Sequence, residues 1–338
     1  MTSSPKDPRL APYGGGNYGT PLDLVDSLLV PTPLFFMRSN GPIPEIDPAT
    51  WRLEIGGHVD RQVTLSLADL QTMPHRSFAA FLECAGNSRT RYEPAAEGTP
   101  WLDDAVGNAS WTGTPLANAL DLVGIRDGAL DIVAQGADFP GMQRGLPVTV
   151  ARDPDTMLVW EMNGEPLTTP HGGPVRLLVP RWGGIASTKW LASLTVLDHA
   201  FTGFYNVVNY VMISERGENL VPVREMPVKS LISSPVGGAA LGAGPQRIAG
   251  FAWSGHGGIV GVEISVDGGG SWGDARIVEE AGRLAWVRFA YDWIATPGAH
   301  TLQARATDER DLTQPTVAVW NAKGYQMNAI QSIHVTVV

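Results

Sequence analysis

SERGENLVPVREMPVKSLISSPVGGAALGAGPQ, residues 214–246, is the stretch that divides the chain. It is dense in glycine, proline and polar side chains and interrupts the hydrophobic period on either side, the pattern of a connection between folding units. It predicts two domains, residues 1–220 and 221–338. Length agrees, because a single core rarely grows past ~250 residues before dividing.

Downstream of this stretch the chain turns all-β. IAGFAW (248–253), IVGVEISV (259–266), WVRFAYDW (286–293), AHTLQARATD (299–308) and SIHVTVV (332–338) alternate apolar and polar residues, with turn residues such as Asp267–Gly270 between them. An immunoglobulin-like sandwich of about 100 residues accommodates that spacing. Upstream, strands and helices mix. WRLEIGGHV (51–59) and RQVTLSL (61–67) alternate like a hairpin, LADLQTM (67–73) reads as a short helix after Ser66, and TPLANALDLVG (114–124) reads as a helix capped by Thr114 and stopped by Gly124. DIVAQGAD (131–138), TMLVWEM (156–162) and PVRLLVP (174–180) read as strands. No regular βαβ rhythm recurs, so the first domain is expected to be mixed α+β. The Gly- and Pro-rich start, including APYGGGNYGTP (11–21), has no period and predicts a surface arm.

Composition narrows the function. Hydrophobic residues make up 43% and charged residues 17%, ordinary for a soluble globular protein, and no apolar run approaches the ~20 residues of a membrane helix. The net charge of −10 argues against nucleic acid and anionic membrane as partners, since both require a basic face. The opening MTSSPKDPRL has neither an apolar core nor twin arginines, which sets an expectation of a cytoplasmic protein.

The chemistry concentrates in FLECAGNSRTR, residues 81–91, where the only cysteine ends an apolar stretch and is followed by glycine, asparagine and two arginines. A lone thiol makes no internal disulfide. It is a buried small apolar group, a nucleophile or a metal ligand, and the residues alone leave all three open. The seven histidines are scattered, and HExxH, CxxC, GxSxG and phosphate-loop patterns are missing, so zinc hydrolase and nucleotide kinase readings lose support.

Glu83-Cys84-Ala85-Gly86-Asn87 with Arg89 resembles the cysteine motif of the sulfite oxidase family, which includes the molybdenum domain of plant nitrate reductases. FFMRSNGPIP (35–44), HGGPVR (171–176), STKWL (187–191) and NY (209–210) recur in the family's order. The second half, ending in WNAKGYQMNA (320–329), is similar to the family's immunoglobulin-like dimerisation domain. The resemblance implies a molybdenum–molybdopterin cofactor with Cys84 as the metal ligand, which suits a soft thiolate on a metal that draws its other sulfurs from the pterin. It implies Arg38, Arg89 and Lys323 as an anion pocket, Tyr210 as an active-site phenol and Trp101 as a pocket wall, with Trp111 the residue most easily confused with it. Arg38, Asn40, Asp138, His171, Arg176, Ser187, Thr188 and Lys189 are implied as contacts to the pterin and its phosphate.

Three positions depart from the common family pattern. Lys323 stands where many relatives have arginine, replacing a planar fork with a point charge. Asn40 stands for histidine and Asn209 for aspartate, so one phosphate contact and the local protonation change. The implied activity is oxidation of sulfite to sulfate in a homodimer, with electrons leaving to an external acceptor. A cytochrome c is expected in preference to oxygen, since the sequence holds no haem or flavin domain. The alternatives are reduction of another oxyanion or a sulfoxide, as in nitrate reductases, or a redox-inactive pterin-binding protein.

Overall fold

A computed structural model describes residues 6–338; the start of the surface-arm reading, residues 1–5, lies outside it. Two β-sheets with short helices form the first part of the molecule. One sheet runs Val63–Ser66, Arg52–Gly57, Leu191–Leu197, Asp131–Gly136, Gln143–Pro147, antiparallel except where Arg52–Gly57 meets Leu191–Leu197. The other pairs Arg76–Glu83 with Val106–Pro115 and then Met157–Met162. The protein is α+β here, as the lack of βαβ rhythm predicts.

Local rules hold in most elements and fail in one. The helix Leu67–Thr72 starts in a reciprocal capping box between Ser66 and Asp69. The helix Leu116–Val123 ends at Gly124 (φ 66°), but Thr114 does not cap it. Thr114 belongs to the preceding strand, and its hydroxyl donates to Pro74 O at 2.8 Å.

The C-terminal part is β-rich. Lys229–Ser234, Gly244–Trp253, Val287–Ala295 and Arg276–Glu279 form one sheet; Ala240–Leu241, Ser332–Val337, Gly298–Asp308, Ile259–Ser265 and Gly273–Asp274 form the other. Ile248, Val262, Phe289, Leu302 and Val335 pack between them. The stretch expected as a connection is largely structured: Asn219–Pro222 pairs with Val211–Ile213, and Lys229–Ser234 is a sheet strand. Most of its glycines and prolines sit between short strands, which is why periodicity failed to show them. Among the described residues, no helix is long and apolar enough to cross a membrane.

The two parts share apolar core. Phe81, Leu82 and Trp111 cluster with Leu231, Phe251, Trp253 and Trp286, so the division in sequence is not a division in packing. The N-terminal arm also enters this core through Leu22, Val25 and Val30, against the expectation of a segment lying on the surface. Farther along it, the Tyr13 ring meets that of Trp101 at 4.3 Å and its hydroxyl donates to Asp104 Oδ2 at 2.7 Å. Asp104 is 6% exposed, and burial raises its carboxyl from 3.8 to about 6. The folded state therefore binds more protons between these values, so stability present below 3.8 is lost as pH rises through about 6. Between about pH 4 and 7 the wild type should lose roughly 2–3 kcal/mol relative to D104N in urea unfolding. Parallel pH profiles for the two proteins would refute this.

Candidate active site and cofactor pocket

The cysteine strand, Arg76–Glu83, delivers Cys84 to the point where two cavities meet. The first is lined by Arg38, Asn40, Cys84, Asp138, His171, Arg176, Ser187, Thr188, Lys189 and Tyr210. The second is lined by Arg38, Cys84, Arg89, Trp101, Asn209, Tyr210, Lys323 and Tyr325. Cys84, Arg38 and Tyr210 belong to both. Every residue expected at the site lines one cavity or the other.

The first cavity is a cationic cup. Arg176 is buried, donates to His171 O at 3.0 Å and Ser187 O at 2.9 Å, and leaves Nε without a partner. Burial lowers its pKa to about 9. Lys189 donates to Ser39 Oγ at 2.8 Å and Pro170 O at 3.0 Å, and burial lowers its pKa well below the ordinary lysine value. His171, 3% exposed, is held neutral by burial, with Arg176, Lys189 and Lys6 adding to the effect. Lys6 is a residue the motifs did not flag; its Nζ lies 2.7 Å from His171 Nε2. The Thr188 hydroxyl and Asp138 Oδ1 are buried without partners, and burial raises the Asp138 pKa. Asn40 accepts from Arg38 Nη2 at 2.5 Å, while the Ser187 hydroxyl accepts from Val179 N at 3.0 Å.

The second cavity is built around Arg89, which is 6% exposed. Its Nε donates to Lys323 O at 3.0 Å and its Nη1 to Thr99 O at 2.6 Å, so the closing WNAKG segment and the cysteine loop grip one side chain. A Cβ on Gly86 or on Gly324 (φ 59°) would run into that side chain, which accounts for glycine at both positions. Trp101 is fully buried with an unpartnered Nε1. Trp111, buried in the same core cluster, donates to Ala80 O at 3.1 Å and does not line this cavity. Among the described residues, none of Arg38, Arg89, Arg176, Lys189 and Lys323 is ion-paired with a carboxylate. Five cations without a carboxylate ion pair, against Asp138 and Glu97 as the acids lining the two cavities, call for an anion.

Behind the cysteine loop lies a buried network that the motif reading missed. Glu83 and Lys229, each 1% exposed, pair at 3.2 Å across the two domains. Lys229 also donates to Ser88 Oγ at 2.7 Å, and Glu83 accepts from Asn87 Nδ2 at 2.9 Å and Trp253 Nε1 at 2.8 Å. Ser88 stands in the left-handed region (φ 65°), a conformation that surrounding contacts must hold. No clear signal marks it in the sequence, because Lys229 opens KSLISS, a stretch read as part of a polar connection.

Residues 40–205 match the oxidoreductase molybdopterin binding domain, and residues 221–338 the Mo-co oxidoreductase dimerisation domain. The chain is 34% identical to mitochondrial sulfite oxidase of Mus musculus, covering 93% of this chain and 63% of that protein, and therefore spans a little under two thirds of that relative. It is 32% identical to sulfite oxidase of Arabidopsis thaliana, covering 89% of this chain and 86% of that one. The crystal structure of the sulfane dehydrogenase SoxCD from Paracoccus pantotrophus is similar at a TM-score of 0.88 and 31% identity, covering 95% of this chain and 84% of that chain.

The first cavity fits the group these matches imply. A pterin phosphate needs cationic and N–H donors, which Arg176, Lys189 and His171 would supply, and the pterin's amino edge needs an acceptor, which the orphaned Asp138 oxygen would supply. Among the described residues, no cluster of three or more His, Cys, Asp or Glu could hold a metal. By its sequence matches and its fold, the chain belongs to the sulfite oxidase family of molybdopterin-binding oxidoreductases.

Proposed function

We propose that this protein oxidises sulfite to sulfate, taking oxygen from water and releasing two electrons and two protons per turnover. One observation supports the reading: Arg38, Arg89, Lys323, Trp101 and Tyr210 line the second cavity together with the same Cys84 that borders the first. Arg38, Asn40, Asp138, His171, Arg176, Ser187, Thr188 and Lys189 would hold the cofactor, and Cys84 would ligate its metal. When bound, molybdenum–molybdopterin supplies the oxygen-transfer and two-electron chemistry.

The chain's own residues bind and orient. Arg38 and Arg89 offer forked donors to a small dianion, and Lys323 adds a point charge at the rim. The Trp101 Nε1–H, already without a partner, is set to donate to one of the anion's oxygens. Tyr210 is buried, and burial raises its phenol, keeping it a neutral hydrogen-bond donor in the working pH range. Replacing Arg89 with methionine should lower kcat/KM for sulfite by about 10²-fold, with little loss of bound molybdenum. Molybdenum analysis and a sulfite:ferricyanide steady-state assay test that outcome.

The electrons would pass to an external acceptor, a cytochrome c in this reading. The match of residues 221–338 to a dimerisation domain supports a homodimer. The TM-score of 0.88 to a sulfane dehydrogenase favours a second reading, oxidation of a sulfane sulfur. Parallel assays with sulfite, nitrate and a persulfide decide among these; molybdenum-loaded protein inert toward sulfite would remove the first reading.

A further inference from the structure

Tyr325, directly after the WNAKG segment, lines the second cavity without having been among the expected site residues. Its backbone is fixed from two directions: its N–H donates to Asn321 Oδ1 at 3.0 Å, and its carbonyl accepts from Tyr92 Oη at 2.7 Å and Asn321 Nδ2 at 2.9 Å. Its side chain then makes three contacts to the site. The ring stacks on Tyr210 with centroids 5.1 Å apart and planes 8° apart. The Arg89 guanidinium lies 5.3 Å from the ring centroid. The hydroxyl donates to Asn209 Oδ1 at 2.6 Å, and that oxygen also accepts the Tyr210 N–H at 3.1 Å.

Tyr210 requires such a clamp. It sits at φ 51°, in the left-handed region that a bulky residue occupies only when its surroundings impose it. The Asn209 oxygen fixes its N–H, and Val223 N donates to its carbonyl at 2.8 Å. Arg89 has its Nε and Nη1 engaged by carbonyls, and the Tyr325 ring lies against its guanidinium.

We propose that Tyr325 is the positioning residue of the substrate cavity, holding the Tyr210 phenol through Asn209 and the Arg89 guanidinium through its ring so that both face the bound anion. The inference rests on the reading of this cavity as an anion site. It separates two effects: the ring acts on anion affinity through Arg89, and the hydroxyl acts on turnover through Tyr210.

The test compares Y325F and Y325L holoenzymes by kcat and KM for sulfite, by the Kd of sulfate in isothermal titration, and by molybdenum content. Y325L should raise both KM and the sulfate Kd about 10-fold, the loss of one desolvated cation–ring contact. Y325F should leave the sulfate Kd within about twofold and lower kcat about 5-fold, the loss of one hydrogen bond. A Y325L protein with wild-type KM and sulfate Kd overturns the proposal. Should Y325L fail to fold, Y325F decides through kcat, and an unchanged kcat overturns it. Wild-type protein that oxidises no sulfite, yet whose sulfate affinity falls in Y325L, supports the positioning role and removes only the sulfite-oxidising activity.

Discussion

C84S protein should fold, keep its unfolding midpoint within a few degrees of wild type, and oxidise no sulfite above background. Cys84 is 8% exposed and its backbone is already committed, with its N–H donating to Ala105 O at 2.9 Å and its carbonyl accepting from Asn87 N at 2.9 Å. Serine is nearly isosteric, so the packing of Ala85, Leu82 and the loop survives. The penalty is that of a poorly partnered hydroxyl, ~1–3 kcal/mol at most. The function should not survive, because a hydroxyl is a harder and more basic donor than a thiol and stays protonated where a thiolate would bind a soft metal centre. Thermal unfolding, molybdenum content and the sulfite:ferricyanide rate measure these three consequences separately. A C84S enzyme turning over at a tenth of the wild-type rate would remove Cys84 from the proposed ligand role.

The second large effect is on stability. K229M should destabilise the protein by about 3–5 kcal/mol, because it strands the Glu83 carboxylate in the interior with only neutral donors. Glu83 would retain the Asn87 and Trp253 hydrogen bonds but lose its one charged partner. Lysine at this depth is itself a compromise: burial lowers its pKa, while Glu83 and Asp103 oppose that shift. A double variant, E83Q with K229M, should recover a large part of the loss, since a neutral side chain costs less to bury than a lone charge. The same loop carries Cys84, so K229M should also retain less molybdenum than wild type. Urea denaturation read by tryptophan fluorescence measures the first effect. A K229M protein within 1 kcal/mol of wild type would show that the pair is dispensable.

Such a network explains why the C-terminal domain is part of the site as well as its neighbour. Lys229 and Trp253 reach Glu83, Arg91 donates to Ala329 O at 2.8 Å, and Gln326 N donates to Ala85 O at 2.8 Å. The cysteine loop is therefore held from the front by the WNAKG segment and from behind by the first strand of the β-rich domain.

Much of this was legible in the chain. The alternating segments after residue 247 became strands, Ser66 opened a helix, and the motif residues sorted into two cavities meeting at Cys84. Those features follow from short-range pattern: side-chain period sets a strand face, a capping pair sets a helix start, and a motif carries its chemistry within a few residues. Tertiary structure alone decided the rest. The Glu83–Lys229 pair joins positions 146 residues apart, and nothing in the composition near either residue specifies the other. Trp101 and Trp111 are both fully buried, and only the fold, which sets one against Ala80 and leaves the other beside Arg89, separates them. Tyr325 and Lys6 owe their places to loops whose paths are fixed by distant partners. Local sequence sets which residues can take a role, and long-range contacts, governed by strand order and burial, select those that do.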